Sequence, residues 1–262
     1  MSFFHIPGNI PSVEPDILFS IGLVPISNTM MMIWVITLLI IVLSVVINKT
    51  LKEVPGKFQS MLEVFYEGVQ GLLDQITRKR EATEEIFPLI GTLFVFIGLS
   101  NIINLIPGFS SLTINGSEMF RTPTSDFNVT FALALAMIIL VQVESLRDWG
   151  FFGYIGRFVQ IKPLIQGFRK GVGEGMSAFI NFLIGLLDIV SELAKVLSLS
   201  MRLFGNIFAG EVLMVILLGA FAYALPAVWM GFNLFTGIIQ ALVFGALVAA
   251  YYGIAKKPEK IK

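Results

Sequence analysis

Long apolar segments constrain this chain more than any other feature of its sequence. Residues 30–47 include only Thr37 and Ser44 as polar side chains, and a helix of that length spans most of a bilayer core about 30 Å thick. Similar segments occupy residues 86–107, 128–146, 175–218 and 226–255. The hydrophobic content of 56% and the mean hydropathy of +0.85 agree with this pattern. The sequence therefore predicts an all-α polytopic membrane protein with five membrane-embedded helices.

The composition excludes several classes of function. Lys and Arg total 18 and Asp and Glu total 18, so no excess of positive charge indicates a nucleic-acid partner. The chain has no cysteine and one histidine, His5, so we expect no thiolate or histidine metal site. It contains no GxxxxGK[ST] motif. We therefore expect no nucleotide bound in a P-loop. We also expect no cofactor and no enzymatic activity of the chain on its own.

An amphipathic pattern covers residues 57–80, between the first two apolar segments. Its apolar side chains recur at helical spacing, and Glu63, Glu67 and Asp74 lie on the opposite face. Because no soluble domain surrounds this segment, we expect a helix that lies along the membrane surface.

The positions of the basic residues predict the orientation in the membrane. Most lysines and arginines lie in residues 49–57, 78–80, 147–170 and 256–262. By the positive-inside rule these segments face the cytoplasm. The segment 1–28 and the loop 108–127 then face outward, and the C-terminus is cytoplasmic. No internal repeat divides the chain, so we expect a single membrane domain over residues 1–262.

The segment 188–211 places ionisable residues inside apolar sequence. They are Asp188, Glu192, Lys195, Arg202 and Glu211. Charges in such sequence are costly and by default indicate an ion or substrate pathway. At 100° per residue in a helix, Lys195 and Asn206 lie within about 40° of Arg202, and Glu211 lies about 180° from it. The three-residue spacing of Glu192 and Lys195 agrees equally well with an ordinary ion pair and with a functional role.

Arg202 requires an anionic partner. A guanidinium does not lose its proton in proteins, so this side chain is a fixed positive charge rather than a proton relay. Glu211 points away from it, and Asp188 is about 21 Å away along the helix axis. A carboxylate on another subunit fits the requirement, because an unpaired charge in an apolar environment is costly. The same fixed charge would repel cations and prevent a direct leak.

The residues leave three functions open. The first is an ion-conducting subunit whose Arg202 meets carboxylates of a partner. The second is a self-contained secondary transporter or channel, a class that often has internal repeats and helices broken at mid-membrane. Neither feature is evident in this sequence. The third is a non-conducting scaffold, against which the charges inside apolar sequence argue.

Two motifs resemble the subunit a family of F-type ATP synthases. Residues 201–211, Met-Arg-Leu-Phe-Gly-Asn-Ile-Phe-Ala-Gly-Glu, are similar to the core motif of that family. Residues 122–130 are similar to its Pro-x-x-Asp-x-Asn-x-Thr element, and Gln240 matches a glutamine in its last helix. The resemblance extends from the second predicted membrane helix to Tyr252.

The resemblance implies a set of ion-translocating residues. They are Arg202, Glu211, Asn206, Gln240, Asp188, Asn233, Asn101, Asn104, Ser198 and Lys195. Two of them depart from the family pattern. Relatives often carry an acid at the position of Asn104, and some carry histidine at the position of Asn233. The relay in the outer half-channel is therefore the least determined part of the set.

The resemblance also implies an architecture and partners. The last two helices are long and tilted, and they form a hairpin against a ring of c subunits. The b-type peripheral stalk subunits and the remaining ATP synthase complex are further partners, in a bacterial inner membrane. H⁺ or Na⁺ passes to and from the ring carboxylates through two aqueous half-channels, and this flow is coupled to rotation of the ring.

Overall fold

The computed structural model describes residues 12–78, 80–105, 112–114, 117–158, 161–220 and 224–256. Its helices are α1 (Asn28–Thr50), α2 (Lys57–Thr77), α3 (Arg80–Asn104), α4 (Phe127–Phe158), α5 (Ile161–Lys170), α6 (Val172–Ala220) and α7 (Ala224–Ala255). Within the described residues, four helices are long and apolar enough to cross a membrane, namely α1, α3, α4 and α7. The predicted all-α polytopic membrane fold is confirmed at this level.

A β-hairpin precedes the first helix, in a region where the sequence pattern predicts no secondary structure. Strands β1 (Ile17–Ile21) and β2 (Val24–Ser27) pair antiparallel around a turn at Gly22, whose φ is 64°. Ser27 then caps α1 by accepting a hydrogen bond from the backbone N–H of Met30 at 3.3 Å.

Helix α3 begins at Arg80, before the predicted start at residue 86. Its first turns are charged rather than apolar, which is why the hydropathy pattern did not include them. Arg80 and Glu84 form an exposed ion pair at 3.1 Å with four-residue spacing. Such a pair supports helix in water, so the helix starts outside the apolar segment.

Helix α4 contains a change of direction. A short 3-10 helix, Pro123–Ser125, precedes it, and Asp126 accepts a hydrogen bond from the backbone N–H of Asn128 at 2.9 Å, as a capping residue does. At Gly150 the backbone is non-helical, with φ 68° and ψ 161°. The last turns of α4 therefore leave the axis of its first part.

Helices α2, α3, α4, α6 and α7 contribute to one apolar core. Its most buried large side chains are Leu73, Ile90, Ile97, Leu199, Leu203, Phe244 and Val248. Helix α1 packs outside this core, through a smaller cluster of Met32, Ile36 and Ile103. Two short strands, β3 (Thr113–Ile114) and β4 (Ser117–Glu118), pair between α3 and α4.

Helix α6 is the longest element and is unbroken over Val172–Ala220. At 1.5 Å per residue it is about 73 Å long, more than twice the thickness of a hydrocarbon core. Gly205 and Gly210 lie within it, and the helix continues through both. The helical spacing of its side chains therefore continues without interruption through the whole charged segment.

Candidate functional site

One face of α6 points out of the helix bundle and carries polar side chains. Ser198, Arg202 and Asn206 are exposed, at successive four-residue steps. Leu199 and Leu203, one residue further on, are buried at 1% and 0% exposure. Among the described residues, no acidic side chain lies within 4.0 Å of the Arg202 guanidinium. Arg202 is therefore a charge presented outward with no counter-ion from this part of the chain.

The opposite side of α6 meets α7 near Glu211. Gly210 is buried there, and a Cβ at this position would lie 2.5 Å from Oδ1 of Asn233. Trp229 Nε1 donates a hydrogen bond to the Gly210 carbonyl oxygen at 3.1 Å. Both Glu211 and Asn233 are half-buried. The absence of a side chain at Gly210 thus lets the α7 amide approach the turn of α6 that holds Glu211.

Asn101 joins three elements through its side-chain amide. Its Nδ2 donates to the Gly237 carbonyl oxygen in α7 at 3.2 Å, and its Oδ1 accepts from Thr124 Oγ1 in the 3-10 helix at 2.7 Å. Asn101 is 5% exposed and Thr124 is 0% exposed. Gln240, one turn beyond Gly237, is 8% exposed. Its Nε2 has no hydrogen-bond partner in the described part of the chain.

Asn104 ends α3, and its side chain lies outside the described residues. The expectation that Asn101 and Asn104 act together therefore stays a prediction. The structure brings Asn101, Gly237 and Gln240 to one level of the α3–α7 interface, and it brings Asn233 and Gly210 together at another.

Lys195 lies in an ion pair, as the plainer interpretation of its spacing allowed. Its Nζ is 2.6 Å from Glu192 Oε1, and it lies 5.0 Å from the centre of the Tyr251 ring. Glu192 Oε2 also accepts a hydrogen bond from Gln142 Nε2 of α4 at 2.5 Å. Asp188 is half-buried on the same helix. Lys195 therefore faces α7 and pairs with an acid that is bound to α4, whereas Arg202, which the helical projection put close to it, faces outward.

Sequence reasoning missed Gln142 and Tyr154. Tyr154 Oη donates to Gln142 Oε1 at 2.9 Å. Gln142 lies near the end of the predicted membrane segment 128–146, and Tyr154 lies in the basic segment 147–170. The turn at Gly150 joins them, and one glycine among many gave no signal of its positive φ.

Sequence reasoning also missed Arg121, whose guanidinium links the N-terminal segment to the residues just before α4. Its Nη1 donates to the Glu14 carbonyl oxygen at 2.7 Å, and its Nη2 donates to the carbonyl oxygens of Ser12 at 2.7 Å and Ser125 at 3.1 Å. Nearby, burial raises the pKa of Glu118 above its ordinary value, and the negative charge of Asp16 adds to the effect.

The C-terminal end of α7 is held by groups from α3 and α4. Ser145 Oγ and Trp149 Nε1 both donate to the Ala255 carbonyl oxygen, at 3.1 and 3.2 Å. Lys256 Nζ donates to Glu85 Oε2. Partial burial acts to lower the pKa of Lys256, but the contacts with Glu85 and Tyr252 together outweigh it, and the pKa is raised above its ordinary value.

Comparison with known proteins agrees with these features. A family model described as ATP synthase A chain matches residues 30–253, which include every predicted ion-translocating residue. The chain belongs to this family. The resemblance stated from residues 201–211 and 122–130 is thereby confirmed, together with a role in ATP synthesis and ion transport across a membrane.

Two relatives show how far the similarity extends. The chain is 34% identical over 239 residues to ATP synthase subunit a of Moorella thermoacetica, which covers 91% of this chain and 95% of that protein. It is 32% identical over 261 residues to the sodium ion specific ATP synthase subunit a of Propionigenium modestum, covering 95% and 82%. The similarity therefore includes almost all of the chain.

Proposed function

We propose that this chain is the ion-conducting stator subunit of a rotary F-type ATP synthase. It forms two aqueous half-channels that pass H⁺ or Na⁺ to and from carboxylates on a ring of c subunits, and ion flow is thereby coupled to rotation of the ring. The observation that carries this proposal is the outward face of α6, where Arg202 is exposed with no acidic partner in the described chain.

The chemistry of Arg202 accounts for the need of a partner. In a helix that lies in the membrane, an exposed guanidinium would face lipid unless another subunit covers it, and that cost is several kcal/mol or more. A ring carboxylate beside Arg202 is held ionised by the positive charge, and it must be neutralised before it re-enters lipid. The fixed charge also repels cations, which separates the two half-channels.

The polar groups away from this face fit the outer half-channel. Glu211 and Asn233 lie at the α6–α7 crossing, and Asn101, Asn104 and Gln240 complete the set. The Nε2 of Gln240 is buried with no described partner, and buried amides are ordinarily satisfied by protein or water. Water in the half-channel would accept a hydrogen bond from this Nε2. Asp188 belongs to the inner half-channel.

The proposal also includes an arrangement in the membrane and partners. Helices α6 and α7 form a tilted hairpin against the ring, with α6 as the fifth membrane-embedded helix. The c-ring, b-type peripheral stalk subunits and the rest of the ATP synthase complex are the partners, in a bacterial inner membrane. The N-terminus is outside and the C-terminus is in the cytoplasm, with α2 on the cytoplasmic surface.

Cysteine cross-linking tests which face of α6 meets the ring. The chain has no native cysteine, so the background is clean. We expect cysteines at Ser198 and Asn206 to form disulfides with cysteines placed on the ring, and cysteines at Glu211 and at the buried Leu199 to form none. Efficient ring cross-linking from position 211, with none from 198 or 206, would refute the two-face arrangement.

Labelling from one side of the membrane tests the half-channels. We expect a cysteine at Glu211 to react with an impermeant thiol reagent added outside, and one at Asp188 to react with reagent added on the cytoplasmic side. Labelling of position 188 from outside and position 211 from the cytoplasm would show that the orientation is wrong.

Purification distinguishes the stator from a self-contained transporter. In mild detergent a stator is expected to co-purify with small hydrophobic ring subunits and a soluble ATPase head. A chain that purifies alone and still transports would favour the transporter. In the purified complex, ATPase activity that depends on Na⁺ identifies the ion as Na⁺, and activity independent of Na⁺ identifies it as H⁺.

A further inference from the structure

Glu192 is the centre of a polar cluster that joins α4, α6 and α7. We call it the Glu192 cluster, and its members are Gln142, Tyr154, Glu192, Lys195 and Tyr251. Both carboxylate oxygens of Glu192 are used, since Oε1 contacts Lys195 Nζ at 2.6 Å and Oε2 accepts from Gln142 Nε2 at 2.5 Å. The position of this carboxylate is therefore fixed from two helices.

The turn at Gly150 closes the cluster. Tyr154 follows Gln142 by twelve residues, which in a straight helix would separate them by about 18 Å along the axis. Tyr154 Oη nevertheless donates to Gln142 Oε1 at 2.9 Å. The φ of 68° at Gly150 turns the last part of α4 back, and a residue with a side chain rarely adopts that conformation. Tyr154 then orients Gln142 so that its Nε2 faces Glu192.

Stability alone does not explain why a charged pair is present here. The Lys195 and Glu192 side chains are each only 20% exposed. Removing two charges from water has a cost that their attraction seldom exceeds, and apolar residues of similar size usually serve as well. Removing only one partner is far more harmful, because an uncompensated charge remains.

The location of Lys195 gives the pair a consequence for ion flow. Lys195 lies seven residues after Asp188 and seven before Arg202, so it is about 10 Å along α6 from each. These two residues bound the proposed inner half-channel. A bare positive charge midway between them would oppose the passage of cations, much as Arg202 opposes a leak. Glu192 cancels that charge where it lies.

We propose that Glu192, held in place by Gln142, is a positioning residue of the inner half-channel that neutralises Lys195 and so permits cations to pass between Asp188 and Arg202. This inference rests on the proposed function. It assigns a role to Glu192, Gln142 and Tyr154, and it makes Lys195 a charge that must be balanced rather than a group that carries the ion.

The test measures ATP-driven ion uptake by the whole ATP synthase complex in sealed vesicles. We expect Glu192→Gln to lower the rate about tenfold, which is the effect of the bare Lys195 charge on a cation about 10 Å away, beside Asp188 or Arg202, at an effective dielectric constant near 20. The double variant Glu192→Gln/Lys195→Gln is expected to recover most of that loss, because neither charge remains. Gln142→Leu, which keeps both charges but releases the carboxylate from α4, is expected to cause a loss of about twofold.

A matched control is the exposed pair of Arg80 and Glu84. Glu84→Gln is expected to leave the rate unchanged. The proposal is overturned if Glu192→Gln is as fast as the native complex, or if the double variant is as slow as Glu192→Gln, since the carboxylate would then act through packing alone. Should Glu192→Gln not assemble, the double variant decides, and a tenfold loss in it overturns the proposal.

The native complex separates this inference from the proposed function. Absence of ATP-driven uptake in native vesicles refutes the stator function itself. Native uptake that Arg202→Ala abolishes and Glu192→Gln does not change refutes the role of Glu192 only.

Discussion

Two arginines of this chain differ in where their partners are. The guanidinium of Arg121 donates hydrogen bonds to the carbonyl oxygens of Ser12, Glu14 and Ser125. The guanidinium of Arg202 is exposed on α6, and no acid of the described chain is within ion-pair distance. Both keep their charge at any ordinary pH. The requirements of Arg121 are met inside the chain, whereas those of Arg202 are left for another subunit.

The contrast separates residues that hold the fold from those that meet a partner. Charge-assisted hydrogen bonds to fixed carbonyl groups stabilise one conformation. A charge presented on an outward face without an acidic neighbour gains nothing for the isolated chain and gains a counter-ion only in a complex. Substitutions at Arg121 should therefore affect stability, and those at Arg202 should affect transport.

The largest expected effect is that of Arg202→Ala. We expect it to abolish ATP-driven ion pumping in vesicles that contain the assembled complex, because the ring carboxylate loses its fixed counter-charge and the barrier between half-channels is lost. Arg202→Lys should largely fail as well, since an ammonium is a compact point charge that is able to lose its proton when buried. Thermal unfolding of the purified chain should be unchanged. Normal coupled pumping by Arg202→Ala would contradict the assignment of Arg202 to the ring contact.

Arg121→Ala should give the reverse pattern. Loss of its hydrogen bonds to backbone carbonyls is expected to destabilise the chain by about 2 kcal/mol and to expose the segment near Ser12 to protease. Pumping per assembled complex should be retained. The control is Arg147→Ala, because that side chain is 73% exposed and its ion-pair partner among the described residues is Glu144. A change of less than about 0.5 kcal/mol is expected. Equal stability of the Arg121 and Arg147 variants would contradict the assignment of Arg121 to the stability of the fold.

The sequence predicted the helices well because their signals are local. Apolar runs located α1, α3, α4 and α7, and helical periodicity located α2. A rotation of 100° per residue also placed Arg202 and Asn206 on one face, and both are exposed there. Membership of the family added the candidate residues of α7, which periodicity alone does not identify.

These local signals do not predict the contacts between helices. Asn101 and Gly237 are 136 residues apart, and Gln142 and Glu192 are 50 apart. Periodicity tells which face a side chain occupies, but not which helix packs against that face. Lys195 shows the consequence, since it projects close to Arg202 on the helix and yet its ammonium lies over the Tyr251 ring of α7. The turn at Gly150 and the hydrogen bonds of Arg121 also depend on which segments of the chain lie next to them.

Two glycines of α6 extend the contrast to packing. A Cβ at Gly210 would lie 2.5 Å from Asn233 Oδ1, whereas a Cβ at Gly205 would meet nothing within 4 Å. We expect Gly210→Ala to destabilise the purified chain by about 1–2 kcal/mol, as overpacking does, and Asn233→Ala to relieve most of it. Gly205→Ala should be neutral or stabilising by up to about 1 kcal/mol, because alanine favours helix. Equal effects at both glycines would show that the α6–α7 crossing is looser than described.

The smallest effect is expected at Lys256, whose partner is in the chain but close to water. Glu85 is 47% exposed, so Lys256→Gln should lower stability by less than about 1 kcal/mol. The raised pKa of Lys256 means that its contribution is complete below the ordinary lysine value and is lost only as the pH rises through the higher folded value. The difference between Lys256→Gln and the native chain should therefore be the same at about pH 6 and about pH 9. The exposed Lys49 provides the control, and Lys49→Gln should change nothing. If Lys256→Gln lowered the stability more than Arg121→Ala does, the contact at the end of α7 would stabilise the chain more than the hydrogen bonds of Arg121.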